Sequence, residues 1–159
     1  MNVAARPAVP GDIPEILRLY RLLEAEMTPL EHIWPAASGI PAPPEKWLSA
    51  RMADPEATVL IGEIDGVPFG FLVGIREELP PQAAGRRIGA VRYVFTQLEA
   101  REVGVAEAML TAYLAGERAA GITLFDAHVT PGHRLTKNFF ESNGFSARSI
   151  VMHHDDDDD

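Results

Sequence analysis

The sequence contains no cysteine among its 159 residues. Disulfide bonds, thiolate nucleophiles and cysteine metal sites are therefore excluded, and a reducing compartment fits the composition. Long apolar runs are also missing, because the longest, Val67 to Ile75, is too short to span a bilayer. The first residues lack the charged-then-apolar pattern of a signal peptide. We therefore expect a cytoplasmic protein without membrane contact.

Excess positive charge is absent as well. The formal net charge is −9, and five of the negative charges form the terminal run 155–159, which leaves −4 on residues 1–154. A mildly acidic body argues against nucleic acid as a partner, because phosphates need a basic surface, and it is compatible with an amine substrate. The length suits a single domain over residues 1–154, and we expect the aspartate run to be disordered by its own repulsion.

The pattern of turns and apolar residues predicts a mixed fold. The Asp65-Gly66 turn between two apolar runs indicates an antiparallel hairpin, whereas the later β-α-β-α-β order requires parallel pairing. The fold class is therefore α/β (α+β), with a mixed twisted sheet of about six to seven strands and helices on both faces. Strands are expected over residues 2–8, 58–64, 67–75, 88–96, 122–129 and 145–153, and helices over 12–27, 45–53, 101–120 and 133–143.

The junction after the strand 88–96 carries the clearest chemical signal. The segment Arg101-Glu102-Val103-Gly104-Val105-Ala106 opens an amphipathic helix. The N–H groups of a first helical turn have no partners inside the helix, and the macrodipole adds partial positive charge there. Gly104 and Ala106 would let an anion approach the backbone closely. The junction therefore fits a diphosphate site, although many ordinary helices begin with similar small residues.

The order of elements and three segments resemble the GNAT superfamily of acyl-CoA-dependent N-acyltransferases over nearly the whole chain. Residues 101–106 match the family's pattern of Arg or Gln, two residues, Gly, any residue and then Gly or Ala. The hairpin with its following long strand is the second segment, and residues 139–145, FFESNGF, are similar to the family's closing helix. The resemblance implies transfer of an acetyl group from acetyl-CoA to an amine of a small molecule or protein, by direct attack in a ternary complex. It also implies a homodimer, since dimers are common in the family.

The resemblance further implies which residues bind the cofactor. Backbone N–H groups of residues 102–107 would hold the diphosphate of acetyl-CoA. The strand end 94–96 would pair with the pantetheine arm and supply an oxyanion donor near Phe95, beside a neighbouring strand that splays away. The sequence departs from the family at Glu102, where many members have glycine and where a carboxylate repels a diphosphate unless it points outward. The expected cofactor-binding residues are Val94, Phe95, Thr96, Arg101, Glu102, Val103, Gly104, Val105, Ala106, Glu107 and His133.

The candidate proton-transfer residues depart from those usual in the family. Many family members protonate the leaving thiolate with a tyrosine at the position that holds Phe140 here. Tyr93 is a candidate replacement donor, or else a packed core aromatic. His128 is the first candidate for the general base, because it lies near a strand's C-terminal end and imidazole titrates near working pH; the alternative is a histidine bonded to a neighbouring loop. His133 is the second candidate. No metal site is expected, since these histidines lack a third ligand at a familiar spacing.

Three functions stay open at this point. The first is the N-acetyltransferase. The second is a non-catalytic acyl-CoA-binding or regulatory module, motivated by Phe140 and Glu102, and the third is a relic of the fold that acts only through protein contacts. Residues 28–53 and the loop 77–87 would set the substrate, and His32, Ile33 and Trp34 either line a pocket or anchor their proline-rich loop. Arg86-Arg87 is either a solvated pair or a contact for the CoA 3′-phosphate.

Overall fold

The computed structural model describes residues 1–30 and 39–157. Within these ranges five strands form one sheet in the order β1-β2-β3-β4-β5. The first four strands pair antiparallel with their neighbours, and β5 pairs with β4 in parallel. The strands are β1 (Val3–Pro7), β2 (Ala57–Ile64), β3 (Val67–Glu78), β4 (Arg87–Thr96) and β5 (Phe125–Ala127). The α-helices are α1 (Ile13–Met27), α2 (Pro44–Ala53), α3 (Val105–Ala119) and α4 (Arg134–Ser142).

The hairpin between β2 and β3 forms at the predicted turn. Asp65 and Gly66 have φ angles of 49° and 79°, and a two-residue turn of this kind needs left-handed backbone at both central positions. The turn is also tied to the start of the chain, because the amide nitrogen of Asn2 donates to Oδ1 of Asp65 at 2.7 Å. The antiparallel prediction for this half of the sheet is therefore confirmed.

Helices cover both faces of the sheet, as the sequence predicts. On one face α1 and α2 bury apolar side chains such as Leu19 and Leu48 against the strand residue Val73. On the other face α3 and α4 bury Met109 and Phe140, among others, in a second apolar cluster. The two layers leave β4 with apolar neighbours on both faces, so this strand lies between the two apolar clusters.

Glycines in the sheet allow α3 to lie close to it. An ideal Cβ at Gly74 would lie 2.3 Å from the ring of Tyr113, and one at Gly62 would lie 2.6 Å from Cγ1 of Val105. Real side chains essentially never approach so closely, so the helix could not keep this position over a larger residue.

The sheet has five strands rather than the about six to seven expected from the pattern. The strand predicted over 122–129 is observed only as Phe125–Ala127, and the described part of the C-terminal segment, residues 145–157, forms none. Nε of Arg148 donates to Oδ1 of Asp126 at 2.7 Å, which holds this segment near β5, yet its apolar residues 150–152 are exposed. β-Branched residues favour a strand only where they pack on neighbouring side chains, and here they meet no such surface.

Two apolar side chains on the helices are exposed. Leu135 of α4 has 63% of its surface exposed, whereas Phe140 of the same helix is buried. These two residues point about 140° apart on an α-helix, so both cannot face the sheet. Ala112 of α3 is also exposed, beside β1. None of the helices in the described ranges is both long and apolar enough to cross a membrane.

Candidate functional site

The strands β4 and β5 separate after a short stretch of pairing. Their parallel ladder ends with the pair Val91 and Ala127, followed by a hydrogen bond from the amide nitrogen of His128 to the carbonyl oxygen of Val91 at 3.1 Å. Arg92 is an extra residue in β4, because Val73 pairs with Tyr93 while its neighbour Gly74 pairs with Val91. Such a bulge bends a strand and increases its twist. We refer to the opening between residues 92–96 and the chain after Ala127 as the strand cleft.

Backbone groups of Val94 and Thr96 face the strand cleft. The amide nitrogen of Gln97 donates to the carbonyl oxygen of Phe69 at 2.8 Å, which places the groups of Gln97 on the β3 side. Backbone groups of successive strand residues point alternately to the two sides, so those of Phe95 also face β3 and those of Val94 and Thr96 face the cleft. The carbonyl oxygen of Thr96 accepts a bond from Nε of Arg101 at 2.9 Å. Val94 therefore presents both an N–H and a C=O to an extended ligand.

The turn between β4 and α3 presents a row of N–H groups, which we call the cradle and define as the amides of residues 102–107. The first helical bond of α3 runs from the amide nitrogen of Ala108 to the carbonyl oxygen of Gly104 at 2.9 Å. Within the described ranges the amides before Ala108 in this turn, from Glu102 onward, donate to no backbone carbonyl. Gly104 caps the helix with φ of 95°. Unpaired amides at a helix N-terminus form an anion site.

Glu102 occupies a backbone conformation that glycine favours. Its φ angle is 70°, and its side chain is exposed. A residue with a Cβ in this region costs on the order of 1 kcal/mol. The carboxylate can therefore turn to solvent, but the backbone of the cradle is strained at this position.

Arg101 and His133 flank the cradle, and both lie close to Glu26 of α1. Nη1 of Arg101 lies 2.8 Å from Oε1 of Glu26 at the end of α1, and the guanidinium carbon lies 5.4 Å from the ring centroid of Phe95. Nε2 of His133, at the N-terminus of α4, lies 3.3 Å from the other carboxylate oxygen of Glu26. Both residues were expected to contact the cofactor. The structure shows Arg101 bonded within the protein and His133 beside Glu26, so together they join the cradle, α1 and α4.

His128 lies at the point where the strand cleft opens. Its outer surface is exposed, yet surrounding protein atoms partly desolvate the ring and lower its pKa below the ordinary value. The charge of Arg92 lowers the pKa further, whereas Glu77 and Asp126 oppose this effect. The lowered pKa keeps the imidazole neutral at neutral pH, which is the form that accepts a proton.

Tyr93 points to the opposite side of β4 from α3. Its ring packs edge-on against Tyr20 and Trp47, with centroid distances of 6.2 and 5.9 Å. Burial raises its pKa to about 12, so the hydroxyl keeps its proton at neutral pH. The aromatic packing proposed as an alternative for Tyr93 is therefore present, and it leaves a role as proton donor untested.

Phe140 sits in the core at the position where many family members have tyrosine. It is 3% exposed, and its ring centroid lies 5.1 Å from those of Phe139 and Phe145. A phenyl ring has no proton to give. A thiolate leaving group would need another source of its proton.

A cavity of about 340 Å³ lies on the α2 side of β4. We call it the α2 cavity. It adjoins the strand cleft, because Arg92 of the bulge and the next residue, Tyr93, form part of its wall. Its described lining residues are Gly39, Pro41, Trp47, Arg51, Ile75, Glu77, Arg92 and Tyr93.

Sequence reasoning placed the substrate determinants in residues 28–53 and 77–87, and several lining residues of the α2 cavity fall in these ranges. It missed Trp47, Arg51 and Glu77 individually, because nothing in their local pattern distinguishes them. His32, Ile33 and Trp34 lie outside the described residues. Arg87 begins β4, at the end far from the cradle by about 30 Å of strand, and pairs with Glu56, which fits the solvated-pair interpretation better than a cofactor contact.

No protein-family model and no curated protein match the sequence. Solved structures, however, match nearly the whole chain. A predicted acetyltransferase from Clostridium acetobutylicum, crystallised with acetyl-CoA, has a TM-score of 0.75 at 15% identity, covering 97% of this chain and 96% of that one. AAC(6')-Iy, in complex with the bisubstrate analogue CoA-S-monomethyl-acetylneamine, has a TM-score of 0.74 at 15% identity, covering 98% of both chains.

An aminoglycoside acetyltransferase from an uncultured soil metagenomic sample has a TM-score of 0.70 at 15% identity, covering 96% of this chain and 93% of that one. Identities this low show the fold alone. The resemblance found in the sequence is confirmed at that level, since these neighbours are GNAT acetyltransferases with a mixed sheet and helices on both sides. The chain has the fold of the GNAT acetyltransferases.

Proposed function

We propose that the chain is an N-acetyltransferase that moves an acetyl group from acetyl-CoA to an amine, by direct attack in a ternary complex. The observation that carries this proposal is the continuity of the strand cleft with the cradle. Val94 offers an N–H and a C=O to an extended chain, and a short 3-10 turn at Leu98–Ala100 connects the end of β4 to the unpaired amides of residues 102–107. An arm that adds to β4 like a strand would thus end with its diphosphate at a helix N-terminus.

The residues present fit such a cofactor. Gly104 has no protein atom within 4 Å of where a Cβ would stand, so the approach to the cradle is clear. Arg101 ties the turn to Thr96 and to Glu26 of α1. The backbone supplies these contacts, so they need no particular side chains beyond small ones that leave the amides accessible.

The transfer itself requires an oxyanion donor, a base and an acid. The amine nitrogen forms a bond to the acetyl carbonyl carbon, whose oxygen takes the negative charge, and the carbon–sulfur bond then breaks to release the CoA thiolate. We assign the oxyanion donor, expected near Phe95, to the N–H of Val94, because that group faces the strand cleft. His128 in its neutral form accepts the proton of the amine.

The proton for the thiolate is assigned to Tyr93 or to water. Tyr93 belongs to the α2 cavity wall beside the bulge and carries its proton at neutral pH. A hydroxyl with a raised pKa is a weaker acid than an ordinary tyrosine, so this step would be slower than with a solvent-exposed donor. Water is the other source, since the strand cleft opens to solvent at His128.

The non-catalytic acyl-CoA-binding or regulatory module is the second candidate. The buried aromatic environment of Phe140 and the strained backbone of Glu102 favour it. It shares the cofactor site with the enzyme hypothesis and differs only in turnover. A protein amine as acceptor, a homodimer, a cytoplasmic location and the single-domain boundary at residue 154 stay predictions.

The test is CoA release measured with acetyl-CoA and a panel of small amines and amine-bearing peptides. Release that requires both acetyl-CoA and an amine supports the enzyme. Acetyl-CoA binding by calorimetry without release on any amine favours the binding module. Absence of acetyl-CoA binding overturns both proposals.

A further inference from the structure

We propose that the acceptor is a small amine that also carries an anionic group, a carboxylate or a phosphate, and that Arg51 binds this group in the α2 cavity. The inference rests on the proposed function and names the substrate class of the same site. It follows from three features of the cavity: an arginine with no carboxylate partner, the balance of charge on the walls, and the direction from Arg51 to the strand cleft.

Arg51 is held in place without being neutralised. Its guanidinium carbon lies 5.4 Å from the ring centroid of Trp47, one helical turn earlier in α2. Among the described residues no carboxylate pairs with it, and its Nε atom is buried without a hydrogen-bond partner. A buried donor without an acceptor costs free energy, so its presence in a cavity wall indicates that a ligand supplies the acceptor.

The second arginine of the cavity is already paired. Nη1 of Arg92 donates to Oε2 of Glu77 at 2.7 Å, and both residues line the cavity. These two charges cancel, so Arg51 gives the described walls an excess positive charge, although the chain as a whole carries −9. A positive cavity in an acidic protein attracts an anionic group and disfavours a polycation.

The shape of the guanidinium suits a carboxylate or phosphate. Its planar array of N–H donors matches the two oxygens of such a group and binds them in parallel. The cation–π contact with Trp47 holds the guanidinium at the cavity wall, where its N–H groups would meet a ligand. The rings of Trp47 and Tyr93, 5.9 Å apart, would contact the apolar part of the acceptor.

The cavity also sets the orientation of the acceptor. Arg51 lies on the α2 wall, while Arg92 and Tyr93 lie on the β4 wall, next to the Val94 amide that faces the strand cleft. An acceptor anchored at Arg51 therefore presents its other end to the cleft, where the acetyl group would be. A volume of about 340 Å³ is at the small end of the range for ligand pockets and suits a molecule of amino-acid size.

The experiment compares matched acceptors that differ only in the anionic group. L-Phenylalanine and L-methionine are compared with their amides, and O-phosphoethanolamine is compared with ethanolamine, in the CoA-release assay. We expect kcat/KM to be about ten- to hundredfold higher for the anionic member of the preferred pair. This is the effect expected from one hydrogen bond to a charged group. The amino-acid pairs and the phosphate pair distinguish a carboxylate from a phosphate.

Variants connect this preference to Arg51. Arg51→Gln should raise KM for the anionic acceptor about ten- to hundredfold and leave the neutral acceptor unchanged. Arg51→Lys should recover part of the preference, because it keeps the charge but not the planar donors. Arg118→Gln, which removes an exposed arginine on α3, is the matched control and should change neither acceptor.

Two results overturn the inference. Equal or better kcat/KM for the neutral acceptors would do so while leaving the N-acetyltransferase proposal intact, since CoA release would still depend on an amine. If no acceptor supports CoA release, the proposed function fails, and the cavity is tested by calorimetric titration with the same amino acids and amides in the presence of CoA. Binding of the acid that is lost in Arg51→Gln would then support the anion site, and its absence would overturn it.

Discussion

The amide nitrogen of His128 donates to the carbonyl oxygen of Val91 at 3.1 Å, and in the described part of the chain this bond is the last between β4 and the segment that follows β5. It places an ionisable imidazole at the opening of the strand cleft. Beyond it, the extra residue Arg92 bends β4 away and Val94 presents its backbone. One hydrogen bond thus marks both the end of the sheet and the start of the candidate site.

Replacing His128 tests its role as the base. We expect His128→Gln to lower kcat by about a hundredfold or more, the usual cost of losing a general base, with acetyl-CoA affinity unchanged. In the wild type the contribution of His128 is present while the ring is neutral and is lost as pH falls through its pKa, which lies below the ordinary 6.5. The difference between the two pH–rate profiles should therefore shrink below pH 6.5. An unchanged kcat at neutral pH would assign His128 a structural role only.

The free energy of unfolding should also depend on the ionisation of His128. Its pKa is lower in the folded protein than in the unfolded chain, so the unfolded state binds more protons once the pH falls below the unfolded value of 6.5. Stability is then lost as the pH decreases through that window. His128→Gln should reduce this loss in denaturant titrations at pH 5 and 7, about the pH range where histidine titrates. If the unfolding free energies of the wild type and of His128→Gln depended identically on pH, this prediction would be contradicted.

Replacing Gly104 tests whether the cradle binds the diphosphate of acetyl-CoA. Gly104→Asp adds a side chain at φ of 95° and a negative charge beside the unpaired amides, so acetyl-CoA binding measured by calorimetry should be lost. Gly116→Ala is the matched control, because this glycine is inside α3 and a Cβ there meets no atom within 4 Å. The control should bind normally and be more stable by about 0.5–1 kcal/mol. Normal binding by Gly104→Asp would remove the cradle as the diphosphate site.

Replacing Glu102 with glycine should strengthen acetyl-CoA binding. Glu102→Gly relieves the positive φ of 70° and removes a carboxylate next to the anion site. We expect tighter acetyl-CoA binding by about three- to tenfold and little change in thermal stability, because relief of about 1 kcal/mol of strain is offset by glycine's greater freedom in the unfolded chain. Glu102→Gln separates the two causes, since it removes the charge and keeps the Cβ. Weaker binding by Glu102→Gly would show that the carboxylate helps rather than hinders.

Replacing Arg101 tests whether its contacts with Thr96 and Glu26 hold the cradle in place. Arg101→Met breaks the bonds to Thr96 and Glu26 while keeping an apolar stem against Phe95. We expect acetyl-CoA affinity to fall about tenfold and unfolding free energy to fall by about 1–3 kcal/mol, the usual cost of losing a hydrogen-bonded charge. Glu26→Gln should give a smaller effect in the same direction, and the double variant should be less than additive. Full additivity would show that the two side chains act independently.

The local features of this chain follow from short stretches of sequence. Asp65-Gly66 requires left-handed backbone and so fixes a hairpin, and the apolar spacing of α3 requires a buried face. The amides of residues 104–107 are unpaired because any helix leaves the N–H groups of its first turn without partners. For these elements the cause lies within a few residues, so the sequence suffices.

Other features depend on contacts between distant residues. The segment 145–153 contains β-branched and aromatic residues, yet it forms no strand, because strand formation needs a neighbour to pack on. Arg101 pairs with Glu26 on α1, which is far away in the chain. No local pattern could reveal either outcome.

The sequence by itself determined the order of the elements, the hairpin, the amphipathic α3 and the position of the cradle, since each depends on backbone conformation over a short range. Only the tertiary structure decided where β4 and β5 part, which backbone groups face the strand cleft, and that Arg51, Trp47 and Glu77 share one cavity with Tyr93. The physical reason is that strand register, helix docking and charge pairing depend on which surfaces meet, and many distant residues act together to determine this.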